Sequence, residues 1–202
     1  MIKYLLHIKH KIPFLWDISN TINDIIFMMF YESRIKNSIS KVLKSIPEST
    51  FSFRTIEKTD IDRLYTFFQQ QEKSAFDYFK PHSFDKNTLE KLLKSHSFFM
   101  FGVFNMENQI VGYFFLRCFI NRKAFRGKIV DKAYQGQGLA KKMGYILSDI
   151  CWKSNFRLFA TISKNNTASI SSSKAVNQIQ VVKELPDNYI YIEYSQKNNT
   201  CC

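Results

Sequence analysis

Apolar positions along this chain follow two periods, and the switches between them predict an order of elements. Phe51-Ser52-Phe53-Arg54-Thr55-Ile56 alternates as a half-buried strand does. Thr59 or Asp60 then caps a helix carrying Ile61, Leu64, Phe67 and Phe68. Proline interrupts at Phe79-Lys80-Pro81-His82, and Ser83 or Asp85 opens a second helix bearing Leu89, Leu92 and Leu93. Three strands follow over 98–104, 110–117 and 125–130, the first two joined by a hairpin-like turn at 105–108. Leu139, Met143, Ile146, Leu147 and Ile150 then make one stripe of a helix. A strand over 157–162, a short helix opened by Asn165 and Asn166, and strands over 178–182 and 189–194 complete the pattern.

The first 48 residues stand apart. Ile22, Ile25, Ile26, Met29 and Phe30, then Ile35, Ile39, Val42 and Leu43, recur at helical spacing, with Arg34, Lys36, Lys41 and Lys44 between them. The expectation is a helical arm over 1–48 packed by these positions against a main domain over 49–195, with a polar tail over 196–202. A basic amphipathic helix resting on a membrane surface is the alternative. Ile25 to Tyr31 is far shorter than the ~20 residues that span a bilayer. The opening Met1 to Leu6 run is cut off by His7, Lys9, His10 and Lys11, unlike an export signal. A cytoplasmic protein is expected.

Composition narrows the chemistry only modestly. The 202 residues are 45% hydrophobic, with 20 phenylalanines and 10 tyrosines, as suits a soluble domain with an aromatic core. A formal charge of +12 favours anionic partners without choosing among them. Cys118, Cys151, Cys201 and Cys202 show no Cys-x-x-Cys spacing, so neither a zinc site nor structural disulfides are expected. No aromatic RNA-binding strand, zinc finger or recognition helix is visible, and nucleic acid is not an expected partner.

Against only six glycines in the chain, two fall one residue apart in Gln135-Gly136-Gln137-Gly138-Leu139-Ala140. Here a strand ends and an amphipathic helix begins. Glycine lets the backbone approach a ligand, and a helix N-terminus offers free N–H groups to anionic oxygens. The segment reads as a pyrophosphate cradle.

Gln135, Gly138 and Ala140 resemble the acyl-CoA signature Gln/Arg-x-x-Gly-x-Gly/Ala of the GNAT N-acetyltransferases. The element order of 51–194 resembles that family's mixed α/β fold, a central twisted, mostly antiparallel sheet flanked by helices. The resemblance implies acetyl-CoA as co-substrate, with the pyrophosphate on Gln135, Gly136, Gln137, Gly138, Leu139 and Ala140 and with Lys141 and Lys142 beside it. Main-chain groups at Ile129, Val130 and Lys132 would pair with pantetheine, and the Val130 amide would face the thioester carbonyl as it becomes an oxyanion. Asn166 matches the asparagine that opens the family's next helix. Seven residues on, the family's proton-donating tyrosine is absent; Ser173, or Ser172 before it, stands there.

A primary amine acceptor implies a proton acceptor, for which His82, Asp131 and Glu193 are candidates; Tyr134 reads as packing. Residues 79–85 also resemble family members that acetylate amino groups on nucleotide-linked sugars, which makes Lys80, His82 and Arg117 acceptor-side candidates. A CoA-binding scaffold with little turnover is the alternative. The sequence fixes neither the acceptor nor the oligomeric state.

Overall fold

The computed structural model describes residues 13–47 and 49–197, with side chains from residue 19 onward. The readings made on residues 1–12, Glu48 and the Cys201 and Cys202 end of the tail lie outside the described residues. Helices α1 (Pro13–Phe30) and α2 (Glu32–Lys44) precede β1 (Ser52–Thr55), α3 (Ile61–Gln70), α4 (Lys86–Lys94), β2 (Phe98–Phe104), β3 (Ile110–Cys118) and β4 (Lys123–Val130). Then come α5 (Leu139–Lys153), β5 (Arg157–Ser163), α6 (Thr167–Val176), β6 (Gln178–Leu185) and β7 (Tyr189–Ser195).

All seven strands form one sheet in the order β1-β2-β3-β4-β5-β7-β6. Every neighbouring pair is antiparallel except β4 and β5. β2 and β3 are apolar on both faces because both faces are covered, as a central strand requires. One core gathers Phe101, Phe114, Met143 and Leu147 with the arm's Phe27, Ile35 and Val42. On the other face Leu64, Phe67, Phe68 and Leu89 close over Tyr113 and Phe115. Asp85 caps α4 by accepting from the Thr88 amide, as its position ahead of the apolar stripe predicts.

The arm differs from expectation in which face it turns inward. α2 packs beside α5 with Ile35, Ile39 and Val42 buried. In α1, however, Ile22 and Ile25 are half exposed, and Met29 and Phe30 are 68% exposed. Its inward face carries Asn20, Asn23 and Asp24 beside Phe27. Asn23 donates to the Cys118 carbonyl and accepts from the Ile120 amide. Asp24 accepts from the Ser95 and Ser97 hydroxyls and the His96 and Ser97 amides. Burial opposes its charge, but those hydrogen bonds prevail and hold its pKa below the ordinary value. The domain presents unsatisfied loop amides and hydroxyls at this place, and a helix that answers them docks by its polar side.

Candidate active site

The parallel pair β4 and β5 holds register only from Lys123 to Phe125 against Arg157 to Phe159. Beyond that point β5 leaves β4 and stays with β7, so β4 keeps a free edge over 127–130. The Asp131 amide donates to the Val111 carbonyl on the β3 side. Backbone groups alternate along a strand, so the amides of Lys128 and Val130 point into the opening. Neither the Lys128 nor the Val130 amide has an acceptor among the described residues, while the Val130 carbonyl accepts from the Gln135 side chain at 3.3 Å.

The opening leads to the glycine turn. Gly136 and Gly138 both sit at φ 79°, the left-handed region that an L side chain adopts at a cost of roughly 1–2 kcal/mol. A Cβ at either position would meet nothing within 4 Å, so conformation rather than crowding calls for glycine. Gly138 is the N-cap of α5 and its carbonyl accepts from Lys141 and Lys142. The amides of residues 136–140 have no acceptor among the described residues. They are a cluster of free donors at the positive end of a helix dipole, and the preferred occupant is an anion.

A cleft of about 460 Å³ runs along this edge, walled by Lys128, Val130, Gly136, Gly138, Ala140 and, from α6, Asn166, Ser169 and Ser172. A second cavity of about 430 Å³ opens on the other side of Tyr78 and Phe79, which border both. Phe98, Phe115, Phe119, Phe125 and Tyr189 make its walls aromatic; Lys80 and Arg117 supply its cations and Asp77 its one carboxylate, while Arg126 borders it with its guanidinium turned toward α5 and α6. β4 passes from one chamber to the other between Gly127 and Lys128. A Cβ on Gly127 would lie 2.3 Å from the Phe115 ring, so this glycine lets the aromatic wall close onto the strand.

Three cations here lack a carboxylate partner among the described residues. Arg126, 6% exposed, donates to the Gly144 carbonyl, Ser148 and Ser173 and lies 3.6 Å over the Tyr194 ring. Arg117 donates to Asn20 of α1 at 2.9 Å, and burial lowers its pKa. Lys128 donates to the Ala140 carbonyl at 2.7 Å and to Ser172 at 3.0 Å. Burial, with a contribution from neighbouring Arg126, pushes its pKa down to about 7. Buried cations without counter-charges are costly, and an anionic ligand offsets that cost. Neither Arg126 nor Lys128 stood out in the sequence. The available signal was a charged residue at two alternate positions of the strand that runs into the glycine turn.

The residues expected at the site are brought together only in part. Val130, Gln135, Gly136, Gly138, Leu139, Ala140, Lys141 and Asn166 line the cleft, and Ile129 contributes its main chain while its side chain enters the opposite core. Gln137 is exposed in the turn. Asn166 spends its side-chain oxygen on the Ser169 amide as the α6 cap. Lys132 reaches away to Glu72 at 2.8 Å. Ser173 faces the core, between Arg126 and the Tyr194 hydroxyl, and it is Ser172 that borders the cleft.

The base candidates occupy structural positions. His82 stands among Phe68, Phe84, Phe98 and Phe115. Its Nδ1 donates to the Ser83 carbonyl, which leaves Nε2 to accept from the Tyr113 hydroxyl at 3.0 Å. Burial lowers its pKa and keeps the ring neutral. Asp131 accepts from the Ala133 amide in its own turn and from the Gln71 side chain at the end of α3. Glu193 is held bidentately by Arg157. Tyr134 packs edge-on against Phe51. Among the described residues no cluster of His, Cys, Asp and Glu has the makings of a metal site, and no helix is long and apolar enough to cross a membrane.

The fold has known counterparts. The family model described as an acetyltransferase (GNAT) domain matches residues 51–176. No curated protein matches the chain in sequence. Among solved structures, the ribosomal-protein-S5-alanine acetyltransferase of Vibrio fischeri superimposes with a TM-score of 0.60 at 18% identity, over 76% of this chain and 97% of that one. RimL, a ribosomal L7/L12 α-N-protein acetyltransferase in complex with CoA, gives 0.62 at 14% identity, over 75% and 97%. The spermidine N-acetyltransferase of Vibrio cholerae, in complex with CoA and spermine, gives 0.55 at 17% identity, over 73% and 94%. At these identities the likeness is one of fold.

Proposed function

Because the chain belongs to the GNAT acetyltransferase family, we propose that its cleft takes acetyl-CoA and its aromatic cavity takes a small amine acceptor that also carries negative charge. The observation that carries this reading is the free edge of β4 running into the unpaired amides of 136–140. The residues present suit acetyl-CoA: the turn amides with Lys141 suit its pyrophosphate, and the Lys128 and Val130 amides suit the amide groups of an extended pantetheine arm as an added strand would. When bound, acetyl-CoA supplies an acyl group already activated as a thioester.

The chain's own groups then divide the work. Lys128 is the last residue of the free edge before the acceptor cavity, and its amide is better placed than that of Val130 to polarise the thioester carbonyl. Tyr78 and Phe79 border both chambers and keep water from the junction. Asp77, which precedes Tyr78 and Phe79 in the lining, is the one carboxylate of the cavity, and the acceptor's proton leaves through it or directly to solvent at the open mouth.

The acceptor class follows from charge. Arg117 and Lys80 against Asp77 make the cavity cationic, which favours phosphate or carboxylate beside the amine and disfavours a polyamine. A nucleotide-linked amino sugar satisfies both the cations and the aromatic walls. Acetyl-CoA consumption measured against such a sugar, a free amino sugar and spermidine tests this. Preference for the phosphorylated acceptor supports the reading; turnover of spermidine alone defeats it. Binding of acetyl-CoA with no turnover of any amine would favour a CoA-binding scaffold instead.

A further inference from the structure

We propose that Lys128 meets the departing thiolate of CoA and stabilises it as an ammonium, in place of the tyrosine that α6 lacks. The inference rests on the acetyl-CoA reading of the cleft. Lys128 borders that cleft at its junction with the acceptor cavity. Its Nζ is anchored from both sides, to the Ala140 carbonyl in α5 and the Ser172 hydroxyl in α6. An ammonium has three protons, and these partners engage two. The third has no partner among the described residues.

A purely structural strap between two helices would not require a charge here. The groups around Nζ offer none to balance it: Arg126 on its own strand, Ala140 and Gly144 on α5 with Lys141 at the rim, Ser169 and Ser172 on α6, and Tyr78 and Phe79 across the cleft. No carboxylate is among them. A thiolate brought beside Nζ is the counter-charge this place lacks, and the pair favours ammonium with thiolate.

The step balances. The acceptor nitrogen forms a bond to the acetyl carbon, and the carbon–sulfur bond breaks with its electron pair on sulfur, which leaves as a thiolate paired with the Nζ ammonium. The amine nitrogen sheds one proton to solvent, and Lys128 keeps its own. Ser172 positions Nζ by accepting its hydrogen bond.

The test needs no acceptor. CoA is bound to the full chain and its thiol titrated by the ultraviolet absorbance of the thiolate, with binding followed separately by calorimetry. In the native chain the bound thiol should titrate at least about one pH unit below free CoA. Lys128→Gln, which keeps length and hydrogen bonding, should return it to the free value. Lys128→Arg, which keeps the charge, should retain most of the shift. An equal shift in Lys128→Gln, or an unshifted thiol in the native chain with CoA bound, overturns the proposal alone. Absence of CoA binding in the native chain overturns the acetyl-CoA reading together with it. Should Lys128→Gln fail to fold, the native chain and Lys128→Arg against free CoA still decide.

Discussion

The two chambers on either side of Tyr78 and Phe79 are built from different materials. The cofactor side is made of backbone: a free strand edge, two left-handed glycines and the opening amides of α5. The acceptor side is made of side chains gathered from distant places, with Arg117 from β3, Phe125 from β4 and Lys80 from the loop after α3. Backbone donors are the same whichever residues surround them, so a shared cofactor is gripped in a general way. Side-chain walls differ with every substitution, and selectivity resides there.

The sharpest way to break this contrast is to place a charge on the backbone side. Gly138→Glu sets a carboxylate among the free amides, and calorimetry should show acetyl-CoA affinity falling at least about 100-fold, near 3 kcal/mol. The fold should persist, since the side chain projects into open space. Undiminished affinity would mean that the turn is not the anchor.

His82→Ala probes the packing beside the acceptor chamber. It leaves the buried Tyr113 hydroxyl without its partner, and unfolding free energy should drop by about 1–3 kcal/mol with CoA affinity intact. A loss of turnover with stability unchanged would instead return His82 to the chemistry.

Lys128 gives the contrast a pH dependence. Its pKa is about 7 folded against an ordinary 10.5. Between those values the unfolded chain holds one more proton than the folded chain, so the stability of the ligand-free protein should rise with pH, by up to about 1.4 kcal/mol per unit. The penalty is fully present below pH 7 and lifted above 10.5. Denaturant titrations across this window should show the slope, and Lys128→Met should flatten it.

The smallest effects sharpen the acceptor side. Arg117→Ala should raise the acceptor KM about tenfold and leave acetyl-CoA binding alone, as loss of one charge contact to a ligand would. Asn20→Ala, which only frees Arg117, should move KM in the same direction by about two- to threefold. No change from either would show that the arm and Arg117 do not contribute to acceptor binding.

What could be read from the sequence divides along the same line. The glycine turn was legible because its signal is local: a strand, two glycines and an amphipathic stripe within a short run of residues. The strand and helix order was legible because covered and half-covered elements differ in period. The polar face of α1 was hidden, since Ile22, Ile25 and Met29 make the better apolar stripe and only the loops at 95–97 and 118–120 explain why it faces outward. Spacing along α6 put Ser173 at the site; a helix turns 100° per residue, and Ser172 faces the cleft instead. Lys128 looked like one lysine among many until burial and its two anchors singled it out.

The junction of arm and domain sets a limit on trimming. The stretch matched by the family model stops at 176 and starts at 51, so a fragment of that extent would lack β7, which pairs along most of β5, and α1, which supplies Asn20 to Arg117. Such a fragment would expose a bare strand edge and release the guanidinium that borders the acceptor chamber, while leaving the glycine turn untouched. A shortened protein of this kind is expected to recognise CoA better than it recognises anything to acetylate.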